Sequence, residues 1–540
     1  MRAGGTLGLA GVDLSGRALT LGGAGSTNVT GAITGAGSLQ KTGAGTLTLS
    51  GGNSFTGEIT VSAGTLNVAG DSALGAVGAG NGTEILAGAS LVFGDPVGIN
   101  IHTETLRIAG NGTAGTSAIQ SLLGENISEG AVTLTADASV NIAAGTLTLS
   151  GGISDLGLAR SLAKNGAGDL VLGGTNTFTG MLAVNAGTLR IAADNTLGGA
   201  PGFSLAAGAT LDLDDFSDSL GSLSGAGTVT FGTLGTGGGT LSVGANGAST
   251  TFTGSITGTG DFEKTGAGAL TLTTANTYVG NTTVSGGMLV AGNNLAFGAA
   301  TQTITVDGGA LGSNLDSRSL AYGIVVGTTP GSGIGGTNSL TLTGAVSSAG
   351  AGSSLEVNFA DTSKAVTVNP SVAGSFAPGE LLLTGGTLIL GGANKIADTT
   401  DVVLAGGTLR TGGFSDRLGA MTLSADSTID FGTSNNVRLE FGDASWTGGT
   451  LTILNWTGTP ARANNADQLL FSGSFSQDLL DRINFQGAGY LGAIAFDRGG
   501  GLYEVVPVPE PTTIIGAMAL VGLIGFRERR RLARFCRSWP

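Results

Sequence analysis

Along most of its length the chain alternates apolar and small polar residues in runs of four or five, separated by glycine-bearing turns. In GTLTLSGG (45–52), Leu47 and Leu49 point one way while Thr46 and Thr48 point the other, the period-two signature of a half-buried strand. EITV (58–61) and GTLNV (64–68) carry the alternation on. Three segments align without gaps: SLQKTGAGTLTLSGGNSFTGEITVSAGTLNV (38–68), SLAKNGAGDLVLGGTNTFTGMLAVNAGTLRI (161–191) and DFEKTGAGALTLTTANTYVGNTTVSGGMLVA (261–291). Lys41, Lys164 and Lys264 each lead by twelve residues to Asn53, Asn176 and Asn276. Phe55, Phe178 and Tyr278 follow two residues on, then Gly57, Gly180 and Gly280. A worn fourth copy, 384–411, keeps Asn394 but has Ile396 in the aromatic slot.

From Gly45 to Gly64 is 19 residues, and the same step separates Gly168 from Gly187 and Gly268 from Gly287. Strands this short, recurring at this interval, cannot each own a core; stacked as turns of a solenoid they share one. The pattern therefore predicts an all-β protein, a right-handed parallel β-helix over residues 1–411. Each turn would add about 4.8 Å, so residues 1 to about 500 would make a rod on the order of 100 Å long. A sandwich would instead show hairpin spacings of roughly 8–12 residues. Residues 412–504, with Trp446 and Trp456, read as terminal rungs and a cap, and 505–540 as a separate tail. Two roles are open for the asparagines: a side-chain ladder at a corner, or turn positions taking up positive φ, which is the expectation. The aromatic slot is read as core rather than as a sugar platform.

Composition narrows the function. Glycine makes up 102 of 540 residues, and 41 % hydrophobic content leaves enough to bury, which excludes a disordered chain. The net charge is −14, but residues 527–540 hold six arginines and one acid. The remainder, with 17 basic and 36 acidic residues, stands near −19. That balance argues against nucleic acid as a partner. One cysteine, Cys536, excludes an intramolecular disulfide and a thiolate metal cluster. The opening MRAGGTLGLAG has no secretory leader and matches AGGTL at 405–409, so the expected start lies upstream.

Candidate chemistry is thin. In LDLDDFSDS, Asp212 and Asp214 alternate with leucines on the solvent face of a strand, and Asp215 and Asp218 are placed in the following turn. Converging carboxylates could act as acid and base or hold calcium, yet a solvated strand edge is the plainer account. His102 is the one histidine and reads as outward-facing, so a Ser/His/Asp triad would rest on it alone. GSGIGG (331–336) is a chance match at this glycine content. No catalytic residue, metal or cofactor is expected.

The KTGAGTLTLSGxNxFTGxxTVxxGTL unit resembles the autotransporter-associated β-strand repeat of secreted bacterial passenger domains. The tail VPVPEPTTIIGAMALVGLIGFRERRR (506–531) resembles the PEP-CTERM sorting signal of Gram-negative bacteria that make exopolysaccharide. Pro509, Glu510 and Pro511 match its motif, followed by an apolar run, 512–526, and by Arg527, Arg529, Arg530 and Arg531. The resemblance implies recognition of that motif by an exosortase-type membrane protease, transient anchoring in the inner membrane, and delivery to the cell surface or extracellular matrix. From the residues alone, 15 helical residues span about 22 Å, short of the roughly 30 Å hydrocarbon core. The arginines would pin that end in the cytoplasm as the close of a single transmembrane helix. The expected function is an exported, non-enzymatic structural or adhesive protein, with exopolysaccharide or other surface material as partner. Two alternatives stay open: a β-helical polysaccharide-binding protein or polysaccharide-degrading enzyme, and a fragment of an autotransporter adhesin.

Overall fold

Each short strand finds its partner about one turn of chain away. Leu39–Lys41 pairs in parallel with Leu19–Leu21 behind it and Ile59–Val61 ahead, in the register Leu19, Leu39, Ile59. Thr46–Leu49 does the same with Ser26–Val29 and Gly64–Val68. This is a parallel β-solenoid, described by a computed structural model over residues 6–76, 82–197, 202–232, 238–434, 436–460, 466–473, 476–487 and 490–509. The chain divides into two units, 1–304 and 305–540.

In the first unit a seven-stranded parallel ladder runs from Glu125–Ser128 to Ser255–Thr257. Each 30-residue repeat copy spans parts of two successive turns: Leu162–Asn165 and Asp169–Leu172 in one, Leu182–Val184 and Thr188–Ile191 in the next. The alternation seen in the sequence sorts as expected. Leu47, Leu49, Leu66 and Val68 are fully buried, while Thr46, Thr48, Thr65 and Asn67 between them face outward and are half-buried. Each fully buried leucine or valine contributes about 1.5–3 kcal/mol, and because turns stack in register these side chains form continuous apolar columns.

In the second unit an eight-stranded parallel ladder leads from Arg318–Leu320 to Ile483–Phe485. The parallel pattern then stops. Tyr503–Pro509 pairs antiparallel with Gln468–Phe471 on one side and with Tyr490–Asp497 on the other. A one-turn helix, Gln477–Leu480, is capped by Ser476, whose Oγ accepts from the Leu479 N–H, and buries Leu479 and Leu480. Trp456 packs edge-on against Phe485 at 5.3 Å, and Arg482 lies over Trp446 at 4.8 Å. These aromatics supply hydrophobic area at the end of the parallel ladder among the described residues. The last strand crosses position 504. Among the described residues no helix is long and apolar enough to cross a membrane. The expected apolar run 512–526 lies outside the described residues.

Candidate functional site

The repeat signature turns out to be the machinery that binds one turn to the next. Asn53 Oδ1 accepts the Ile33 N–H (2.8 Å) from the preceding turn, and its Nδ2 donates to the Ala73 carbonyl (2.6 Å) in the following one. Asn276 does likewise between Ile256 (2.8 Å) and Ala296 (2.5 Å), and Asn176 between Ile153 (2.7 Å) and Thr196. All three are buried, and none has positive φ. The expected turn role therefore fails for these copies. A carboxamide carries both an acceptor and donors, so one side chain brackets three turns. Only Asn394, in the worn copy, has positive φ (51°).

Where an acid replaces the amide, only the backward bond survives. Asp218 accepts the N–H of Leu197 (2.9 Å) and of Ser219 (2.8 Å). It begins the strand Asp218–Leu220 and is 4 % exposed, not placed in a turn as its sequence context suggested. Burial pushes its carboxyl above the usual range. Asp416 accepts from the N–H groups of Lys395 (2.8 Å) and Ile396 (3.2 Å), and burial pushes it up to about 6.

The signature lysines are buried as well, a role the sequence did not reveal. Lys264 Nζ donates to the carbonyls of Thr265 (2.6 Å), Gly266 (3.0 Å) and Gly286 (3.1 Å). Lys164 Nζ reaches Asn165, Gly166 and Ala186, and Lys41 Nζ reaches Gly43 and Ala63. Each ammonium closes its own KTGAG-type turn and ties it to the turn above. Burial lowers all three, Lys164 and Lys264 to about 8, with Asp169 pulling Lys164 the other way. The carbonyl oxygens favour the cation. Gly180 completes the unit by proximity: a Cβ there would overlap the Arg160 carbonyl of the turn below. Phe55, Phe178 and Tyr278 are fully buried, so the aromatic slot is core.

The nominated chemistry does not converge. Asp212 pairs with Arg190 (2.9 Å) on the surface, and Asp214 and Asp215 sit at positive φ (44° and 67°) in the following turn. His102 faces outward, its Nδ1 3.9 Å from Glu129. Gly331 of GSGIGG precedes the strand Gly333–Gly335, which pairs with Ser354–Asn358. A recess of about 560 Å³ in the second unit is lined by Asp398, Asp416, Arg417, Arg438 and Glu440. Its surface charges are spent on each other: Arg417 with Glu440 (3.3 Å) and Asp398 (3.7 Å), Arg438 with Glu440 (2.6 Å). Among the described residues no group of three or more His, Cys, Asp or Glu is arranged to hold a metal. Pro509 ends the last strand opposite Tyr490, whereas Glu510, Pro511, Arg527, Arg529, Arg530 and Arg531 lie outside the described residues.

Comparison with known proteins agrees with the repeat. The family described as passenger-associated-transport-repeat matches residues 39–68, 162–191 and 262–291, the three gapless copies. Over 290 residues the chain is 40 % identical to the adhesin BmaC autotransporter of Brucella suis biovar 1 (strain 1330). The aligned stretch is 53 % of this chain and 8 % of that relative, so the chain spans a small fraction of the relative's length.

Proposed function

We propose that this chain is an adhesive, non-enzymatic stretch of an exported protein of the autotransporter-passenger type, displayed at the cell surface. The observation that carries the reading is the passenger repeat itself. Its three matched copies each form parts of two bracketed solenoid turns, and the chain aligns with an autotransporter adhesin. A right-handed winding belongs to the same reading, since crossovers between parallel strands turn that way in nearly all sheets. The test is protease shaving of intact cells expressing the chain in its natural context, with an attachment assay in parallel. Peptides from 162–191 released without lysis, and attachment lost on deletion of the gene, are expected. Recovery of those peptides only after lysis would overturn it.

The tail supports a finer version. VPVPEP followed by an apolar run and clustered arginines favours exosortase-type processing at Pro509–Pro511, brief inner-membrane anchorage, and release to the surface or to matrix exopolysaccharide. Mass spectrometry of the mature protein separates this from retention of the tail. A surface form still carrying Arg527 to Arg531 rules the processing out and leaves the adhesive reading untouched.

A further inference from the structure

Between Leu106–Gly110 and Ile119–Ser121 the chain leaves the regular turn and folds back over its own sheet. The loop is pinned at both ends. The Thr113 N–H donates to Ser90 Oγ (2.8 Å) and Thr113 Oγ1 to the Gly64 carbonyl (2.9 Å). Ser90 Oγ donates to the Ser117 carbonyl (2.9 Å) and Ser139 Oγ to Ser117 Oγ (3.0 Å). Ala114 and Ser117 hold positive φ (53° and 114°), each costing on the order of 1 kcal/mol or more. A solenoid that needs only to stack has no use for this.

Beside the loop runs a column of outward side chains from successive turns. In register they are Asn28, Thr48, Asn67, Val92, Gln120, Asn141 and Asn165. Asn165 Oδ1 then accepts from Asn185 (2.8 Å). Carboxamides thus recur on one face, at every second turn from Asn28 through Asn67 to Gln120 and at every turn from Gln120 to Asn165, with turns about 4.8 Å apart. Column and loop enclose a groove of about 520 Å³, where Thr65, Asn67, Thr116 and Gln120 face Val92 and Leu122. Gln120 Nε2 donates to Thr116 Oγ1 (2.9 Å), which fixes its orientation. No charged side chain lines the groove.

We propose that this groove binds a neutral oligosaccharide laid along the carboxamide column. Sugar hydroxyls both donate and accept, as carboxamides and threonines do, and the C–H face of a pyranose would cover Leu122, which is 41 % exposed beside the buried Val92. The turn spacing is close to the length one pyranose adds to an extended chain. An acidic glycan would find no cation here and would meet a body near −19. A peptide would find no free strand edge, because the floor strands Gly64–Val68, Ala89–Phe93 and Ile119–Ser121 are paired with one another. The proposal names a ligand for the adhesive reading above and rests on it for biological purpose, but binding in solution needs no surface display.

The test uses the purified chain with neutral hexasaccharides of glucose, mannose and N-acetylglucosamine, and a uronic acid hexasaccharide for comparison, followed by calorimetry. Saturable binding of at least one neutral hexasaccharide is expected, weakened fivefold or more by Asn67→Ala and by Gln120→Ala. Thr46→Trp, which fills the groove from a half-exposed position on its rim, abolishes binding without moving the thermal midpoint. Thr133→Ala, on a different ladder, changes neither. No binding of any neutral hexasaccharide, preference for the uronic acid chain, or binding that survives Thr46→Trp overturns the proposal. Failure of surface display is read separately, by the protease-shaving experiment.

Discussion

At the residue scale, polar side chains that are buried do the work of alignment. Asn176 is 1 % exposed and satisfies an N–H one turn back and a carbonyl one turn forward. Asn176→Ala leaves both without a partner, and each unsatisfied buried group costs about 1–3 kcal/mol. A lowering of unfolding free energy by at least 2 kcal/mol in urea denaturation, about the sum of the lower values, is the expected outcome. Glu104 offers a pH test. It is 3 % exposed, accepts from Thr83 Oγ1 (2.8 Å), and burial raises it from 4.5 to about 7 against that hydrogen bond. An acid whose folded value exceeds its unfolded one makes the folded state the better proton binder between the two. Its stabilisation is therefore complete below about pH 4.5 and is lost as pH climbs to about 7. At about 1.4 kcal/mol per unit the loss is on the order of 3–4 kcal/mol. Glu104→Gln should flatten the thermal midpoint between pH 4.5 and 7, and an unchanged slope would refute the assignment.

At the scale of the element, the unit is a turn clamped to its neighbour by one lysine and one crowded glycine. Lys264→Met removes the donor shared by three carbonyls of two turns, with an expected cost of roughly 1–3 kcal/mol. Gly180→Ala acts without any change of φ, because its Cβ would strike the Arg160 carbonyl. Hydrogen exchange should quicken most in Leu162–Asn165 and Leu182–Val184, the strands that flank this contact. The strands and their 19-residue step were legible because alternation is local: Leu47 and Leu49 declare a buried face within four residues. The role of Asn176 was not, since its partners at 153 and 196 lie a turn away in either direction and no neighbouring residue reports them. The role of Lys164 was hidden for the same reason. A charged side chain reads as solvated unless the carbonyls that receive it, such as that of Ala186, are already placed. The groove was hidden differently, in a stretch between 110 and 118 where the chain departs from its repeat, and the polar, glycine-dense GNGTAGTS (110–117) was its sign.

At the scale of the whole molecule, stability in each unit is a sum of neighbour terms rather than the property of one core. Partner strands in the repeat copies lie 19 or 20 residues apart, so a defect is felt by the turns it touches and little beyond. Asn276→Ala is the sharpest probe, because its bonds end at Ile256 and Ala296. Native-state hydrogen exchange in low urea should show lost protection in Ser255–Thr257 and Thr282–Val284. Leu39–Lys41 and Ile59–Val61, in the same unit but many turns away, should keep theirs. A single global core would lose protection uniformly, and that result would overturn the neighbour-sum account. If the local pattern is found, a turn can be altered in its outward residues without cost to the rest. That is the physical condition under which one face, such as the carboxamide column, can be shaped for a ligand while Asn53, Asn176 and Asn276 hold the stack behind it.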